Sequence, residues 1–364
     1  MTTQATALST PTPSRSEPAF FSPRMDVTLS ELPVMITQLN AMIVEMNAFA
    51  AAAGYPNAGA LYDAILDSGL VRGRNRFVNG AYTVSQINAD TAHTITAGAA
   101  INYGIDCLYT QCTGQNIEAQ RIAGAGAAGF KYGYKLTAGA TGPTTTLHGE
   151  RFKGADCVDL VNQNVAVQVS VNFGTATSRV VTWRAYYANT EDNFAAKTQI
   201  ATGTFDAGAG TSNHTITFNA GANAGNGLCI EYSTGAITAG GFIIYSGHQL
   251  EKIPAGATIG TEFEHVDYAT MLRRCQRYFQ VIAGIRFAAY ASAGMEVSHT
   301  LVFPVVMRAT PTFTVKAAGT FTNCTGSVLY FTNWTAASGS LRMIATAAGL
   351  VQVSDHVVTA AAFL

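Results

Sequence analysis

From Leu29 to Ala53 the apolar residues recur at steps alternating between three and four: Leu29, Leu32, Ile36, Leu39, Ile43, Met46, Ala50 and Ala53. That spacing draws one seam along an α-helix with the period of a coiled coil. Pro33 falls in the first turn of a helix beginning near Ser30, where a missing N–H is tolerated, and Gly54-Tyr55-Pro56 ends it. At ~1.5 Å per residue the predicted stem is roughly 35–40 Å long. Ile at one core position with Leu at the other favours two strands, but Met35, Met42 and Phe49 widen the apolar face. A third helix covers that extra stripe. The expectation is therefore a homotrimer joined at Leu32, Ile36, Leu39, Ile43 and Met46, against the competing reading of a helix packed on its own chain. A second, shorter helical pattern follows at Leu61, Ile65, Leu66 and Leu70.

From Phe77 the period changes to two. Val165, Val167, Val169, Val171 and Phe173 alternate with Ala166, Gln168, Ser170 and Asn172, as a strand with one buried face requires. Val181, Trp183, Ala185 and Tyr187 repeat the pattern, and turns rich in Gly, Asn and Thr separate the runs. Short strands without long helices predict a β-sandwich or jelly roll. One helical pattern, Tyr268 to Tyr278, interrupts the strands, which resume through Val297, His299, Leu301 and Phe303. The fold expected is mainly β, with four parts: a flexible arm at 1–25, a helical stem at 26–73, a jelly roll at 74–264, and a short helix with a distal β domain at 265–364.

Composition narrows the chemistry. Of 364 residues only 12% are charged and 48% are hydrophobic, with a net charge of −1. Such a chain is neither disordered by composition nor attracted overall to a phosphate backbone, so no nucleic-acid partner is expected. No apolar run reaches the length of a membrane span, and the first 24 residues lack the pattern of a signal peptide. Six scattered cysteines without a C-x-x-C pair give neither a disulfide framework nor a zinc site. No metal or cofactor is expected. Two arginine runs stand out, Arg72, Arg74 and Arg76, and Arg273, Arg274 and Arg277. Either can touch an anion, although arginines flanking an element are ordinarily solvated.

Several segments, taken in order, carry a resemblance. Residues 74–86 read Arg-Asn-Arg-Phe-Val-Asn-Gly-Ala-Tyr-Thr-Val-Ser-Gln, and residues 249–264 open with Gln249-Leu-Glu251 and close with Thr261-Glu-Phe-Glu264. Residues 274–279 read Arg-Cys-Gln-Arg-Tyr-Phe, and Phe303-Pro304 precedes Met307-Arg308-Ala-Thr-Pro311. Together they resemble the N-x-x-x-N-G-x-F-x-x-x-Q, QLE and CQRYY segments of tail-fibre and virion structural proteins of tailed bacteriophages. The insertion Lys252-Ile-Pro-Ala departs from that pattern. The resemblance implies a jelly roll like those of carbohydrate-binding modules, mounted on a trimeric fibre. Attachment to a tail or baseplate protein is expected through the N-terminal arm, which is rich in Thr, Ser and Pro and carries Phe20 and Phe21 as a short aromatic plug. The expected partner outside the particle is a host-surface polysaccharide, and the expected place is the virion tail after assembly in the host cytoplasm.

The catalytic signatures are weak. Gly124-Ala-Gly126-Ala-Ala-Gly129 has the letters of a dinucleotide fingerprint, but the alternating residues after it do not open the helix that holds a pyrophosphate. Glu262 and Glu264 share one strand face at a spacing that glycoside hydrolysis can use, yet linker or capping duty is the simpler role. The protein is read as non-enzymatic, with a polysaccharide-degrading tailspike and a head fibre or decoration protein as alternatives. For saccharide binding the candidates are Tyr330, Asn333 and Trp334 in the last part of the chain, and Tyr186 with Asn189 on the jelly roll. In each group aromatic faces stand beside amides.

Overall fold

Helix α1 runs over Pro18–Ala52 in a computed structural model that describes residues 18–52, 74–124, 129–174, 179–208, 210–324, 330–332 and 335–364. The chain divides into two compact units, one up to Arg72 and one from Gly73. The helix starts earlier than Ser30, so Phe20 and Phe21 lie within it rather than in an unstructured arm. The physical reason is Pro18, whose fixed φ suits the first helical position. Farther along, the Thr37 hydroxyl donates to the Pro33 carbonyl at 2.8 Å. Leu32, Ile36, Leu39, Ile43 and Met46 are all exposed on the single chain. The short pattern at Leu61–Leu70 lies outside the described residues.

In the second unit the period-two runs become strands: β1 (His93–Ile95), β2 (Leu108–Thr113), β3 (Ile117–Ala123), β4 (Tyr132–Ala138), β5 (Thr145–Phe152), β6 (Asn164–Asn172), β7 (Arg179–Thr190), β8 (Asn193–Ala207), β9 (Thr211–Asn219), β10 (Leu228–Thr234) and β11 (Phe242–Ile253). They form two antiparallel sheets, ordered β1-β3-β4-β11-β6-β9 and β2-β5-β10-β7-β8. Val165, Val167, Val169, Val171 and Phe173 face inward against Val181, Ala185 and Ile230 of the other sheet, giving a jelly-roll-like sandwich with one apolar core. Trp183 joins that core and stacks on Phe218 at 5.9 Å. The segment after the glycine run is strand β4, hairpin-paired to β3, so the dinucleotide fingerprint lacks its helix.

Helix α2 (Tyr268–Gln276) is capped by Asp267, whose carboxylate accepts from the Thr270 amide at 3.0 Å. Its Met271 and Cys275, with Tyr278 beyond its end, pack on Val84 and Cys107 of the sandwich. The strands beyond are β12 (Phe279–Ala291), β13 (Glu296–Val302), β14 (Thr312–Ala317), β15 (Thr320–Thr322), β16 (Tyr330–Thr332), β17 (Ser338–Ile344) and β18 (Gly349–Ala361). They build a β12-β18-β14 sheet and a β13-β17-β16 sheet, joined through Ile285, Leu301, Leu341 and Val358. Residues 265–364 belong to the same compact unit as the sandwich. The reason is visible at the C-terminus, where Phe363 stacks on Tyr103, before β2, at 4.0 Å and the Leu364 carbonyl accepts from Tyr103 and from Arg151 of β5, both at 2.7 Å.

Candidate functional site

The segments that carry the phage resemblance prove to be joinery. Asn75 donates to the His248 carbonyl at 2.9 Å while its own carbonyl accepts from the Phe77 and Leu250 amides. Asn79 clamps Val84 in both directions and reaches the Asp106 carbonyl. A Cβ at Gly80 would run into the His248 carbonyl oxygen, so only glycine lets the two backbones meet. Tyr82 adopts φ +55°, a left-handed conformation costly for an aromatic residue, and is anchored by its hydroxyl on His148 Nε2 at 2.7 Å.

Gln249 and Glu251 point to the outer face of the six-stranded sheet and tie down residues 254–267 as a strap. Glu251 accepts from the Thr261 amide and hydroxyl, both at 2.7 Å, and stands 3.5 Å from Arg74. Gln249 accepts from the Glu264 amide at 2.8 Å, and Glu264 in turn accepts from the Asn75 amide at 2.8 Å. A buried carboxylate is tolerated only with such a set of partners. This is why β6, expected to keep its polar face open, has Ala166 and Ser170 buried on that face.

Where the strap stops covering the sheet, a cavity of about 340 Å³ opens. Its floor is Gln168 and Ser170 of β6 with Asn213 and Thr215 of β9, side by side because Ser170 pairs with Asn213 and Gln168 with Thr215. Gly247, in the irregular turn of β11, lets the Phe130 ring lie against the backbone, where any Cβ would collide with it. Phe130 meets Phe263 of the strap edge-on at 4.7 Å, and His265 lies 5.1 Å from Phe263. Glu262 completes the rim. Gln168 Nε2 donates to the Thr261 carbonyl at 2.6 Å, fixing the amide against the strap. Ser170, 2% exposed, has an Oγ with no protein partner at the cavity floor. An unpaired buried hydroxyl is costly unless something bonds it. Apolar ring surface beside a hydroxyl, amides and a carboxylate is the combination that holds a hydroxylated ring.

Burial shifts titratable groups elsewhere in the sandwich toward their neutral forms. Burial pushes His148 down to about 3, and His248 falls well below the usual histidine range through burial and its neighbour His148. Burial pushes Tyr82, Tyr232 and Tyr245 up, and Glu150 likewise. These rings stack between the sheets, with His148 and Tyr245 4.7 Å apart. They form a neutral polar core. Among the described residues, no group of three or more His, Cys, Asp or Glu is placed to hold a metal ion, and no helix is long and apolar enough to cross a membrane.

The saccharide-binding candidates named from sequence are not gathered at this cavity, whereas Glu262, weighed there as a carboxylate, lines its rim. Tyr186 lies half-buried on β7 under the Lys197 ammonium, 4.1 Å from its ring, and Asn189 accepts from the Thr198 hydroxyl at 2.7 Å. Tyr330 belongs to β16, paired with Arg342 of β17, in a different sheet. Asn333 and Trp334 lie outside the described residues. Sequence reasoning missed Phe130, Gln168, Ser170, Asn213 and Phe263. Only the alternation of Gln168 and Ser170 and the Glu-Phe-Glu run hinted at them. The cavity needs a loop, two strands and the strap, distant in sequence.

No protein-family model matches the chain, and no curated protein matches it. Among solved structures, the carbohydrate-binding module TmCBM61 with β-1,4-galactotriose is 8% identical, with TM-score 0.31 over 50% of this chain and 100% of that one. The enzymatically active domain of tailspike protein 4 of bacteriophage CBA120 is 11% identical, with TM-score 0.32 over 50% of this chain and 22% of that one. A family 11 carbohydrate-binding module from Clostridium thermocellum, with a mixed-linked tetrasaccharide, is 8% identical, with TM-score 0.27 over 45% and 88%.

Proposed function

We propose that the chain is an adhesive structural component of a tailed-phage virion, a tail fibre, whose sandwich binds a saccharide of the host surface without transforming it. The observation that carries the binding is the cavity, which Phe130 and Phe263 line together with Gln168, Asn213 and Ser170, whose hydroxyl has no protein partner. A pyranose lays its C–H face on the rings and its hydroxyls against Gln168, Ser170 and Asn213. The virion role rests on the joint resemblance of residues 74–86, 249–264, 274–279 and 303–311 to tail-fibre proteins. The trimer rests on the exposed seam at Leu32, Ile36, Leu39, Ile43 and Met46. Three copies of a weak site, repeated over several fibres, multiply through effective concentration.

The test is a glycan array with the full chain, followed by titration of the best oligosaccharide against Phe263→Ala. A loss of about tenfold is expected, as for an anchoring aromatic worth ~1–3 kcal/mol. Undiminished binding would remove the site from this cavity. Release of reducing ends from the host polysaccharide would replace adhesion by a depolymerase. Sedimentation equilibrium should give three chains, and Ile36→Asp with Ile43→Asp should dissociate them.

A further inference from the structure

The two arginine runs, about two hundred residues apart in sequence, meet in space. Arg76 from the segment before β1, and Arg274 and Arg277 from the last turn of α2 and just beyond it, line one pocket of about 180 Å³ with Asn75, Asp156 and Tyr278. Arg76 is paired through one Nη with Asp159, while its Nε is buried without a partner. The guanidinium groups of Arg274 and Arg277 form no hydrogen bond or ion pair with any described residue, and both are only half-exposed. Arginines in a last helical turn complement the helix dipole. That accounts for Arg274 but not for its meeting Arg76 in a cavity. Three guanidiniums against the carboxylates of Asp156 and Asp159 leave the pocket net positive.

We propose that this pocket is a binding site for an oxyanion, a phosphoryl or carboxylate group, carried on a hydroxylated compound. Guanidinium forks present paired N–H donors matched to two oxygens of such a group, and partial burial strengthens the attraction over that of a solvated arginine. Asp156 opposes a second negative charge and accepts from a hydroxyl adjoining the anion. The site is separate from the saccharide cavity, sharing no lining residue with it. It therefore stands whether or not that cavity binds sugar.

The test is calorimetric titration of the full chain at low ionic strength with inorganic phosphate and, separately, with glucuronate. Saturable binding of at least one is expected, and whichever binds tighter identifies the oxyanion as phosphoryl or carboxylate. Arg274→Gln and Arg277→Gln should each weaken binding by roughly tenfold. Arg277→Lys, which keeps the charge but loses the fork, should fall between. Arg273→Gln, in the same run but exposed and outside the pocket, should change affinity by less than about twofold. No binding of either anion by the unaltered chain overturns the proposal. An equal loss in Arg273→Gln overturns it too, because net charge rather than the pocket would then account for the binding.

Discussion

The two outer faces of the sandwich are closed by different means. On the five-stranded sheet the cover is largely apolar: Phe363 stacks on Tyr103, and Tyr103 packs edge-on to Tyr109 at 5.8 Å. Tyr109 then donates to Glu231 at 2.6 Å, which Lys197 neutralises. On the six-stranded sheet the cover is a strap held by the side chains of Gln249, Glu251 and Glu264. Apolar contact spreads evenly over a surface, whereas a polar latch holds only where its donors and acceptors align. The strap therefore seals the sheet beside Glu251 and leaves the neighbouring floor at Asn213 and Thr215 open. The cavity is a consequence of how the strap is fastened.

That contrast can be broken from either side. The largest effect is expected from Glu251→Ala, which removes the acceptor of two Thr261 donors and the carboxylate beside Arg74. Leaving one partner of a buried pair uncompensated costs about 3–5 kcal/mol, read as a fall in the denaturation midpoint, and saccharide binding should disappear with the strap. Phe363→Ala, on the other face, should cost about 2 kcal/mol because the ring is only half-buried, and it should leave saccharide binding intact. If it abolishes binding, the two covers are not independent.

Acid tests the core between them. The folded pKa of His148 lies near 3, below its ordinary value of 6.5, so the unfolded chain takes up the proton first. The stability due to a neutral His148 is complete above about pH 6.5 and lost as pH falls toward 3, about 2 kcal/mol by pH 5. His248 shifts in the same direction and adds to the loss. Glu150, raised by burial, acts in the opposite sense, losing stability as pH rises past its unfolded value. Chemical denaturation in a Glu150→Gln background should show stability falling from about pH 6.5 to 5. A flat profile would show that the histidines are not buried neutral. The smallest effect belongs to Ser170→Ala, which removes an unpaired hydroxyl. Stability should hold or rise slightly, while saccharide binding weakens by about 0.5–1.5 kcal/mol.

What the chain determines locally is legible without coordinates. Alternation from Val165 to Phe173 dictates a strand, because successive side chains must point to opposite faces of a pleated backbone. The seam from Leu32 to Met46 dictates a helix for the same geometric reason at another period. The start of α1 is not legible in this way, because the Thr, Ser and Pro content before Pro18 masks the helix-starting role of that single proline. Asn75, Asn79, Gln249 and Glu251 stood out by resemblance, yet their work as backbone clamps and a latch emerged only once β11 and the segment before β1 were neighbours. Ser170 reads in sequence as one more outward polar residue. Tertiary structure alone sets it in one cavity with Phe130 and Phe263, and alone brings Arg76 to Arg274 and Arg277. Periodicity is a property of adjacent residues, while a cavity is made by surfaces that contact after long loops have closed. The sequence therefore determined strands, helix and clamping residues, and the packing of sheet, strap and α2 decided where a ligand can enter.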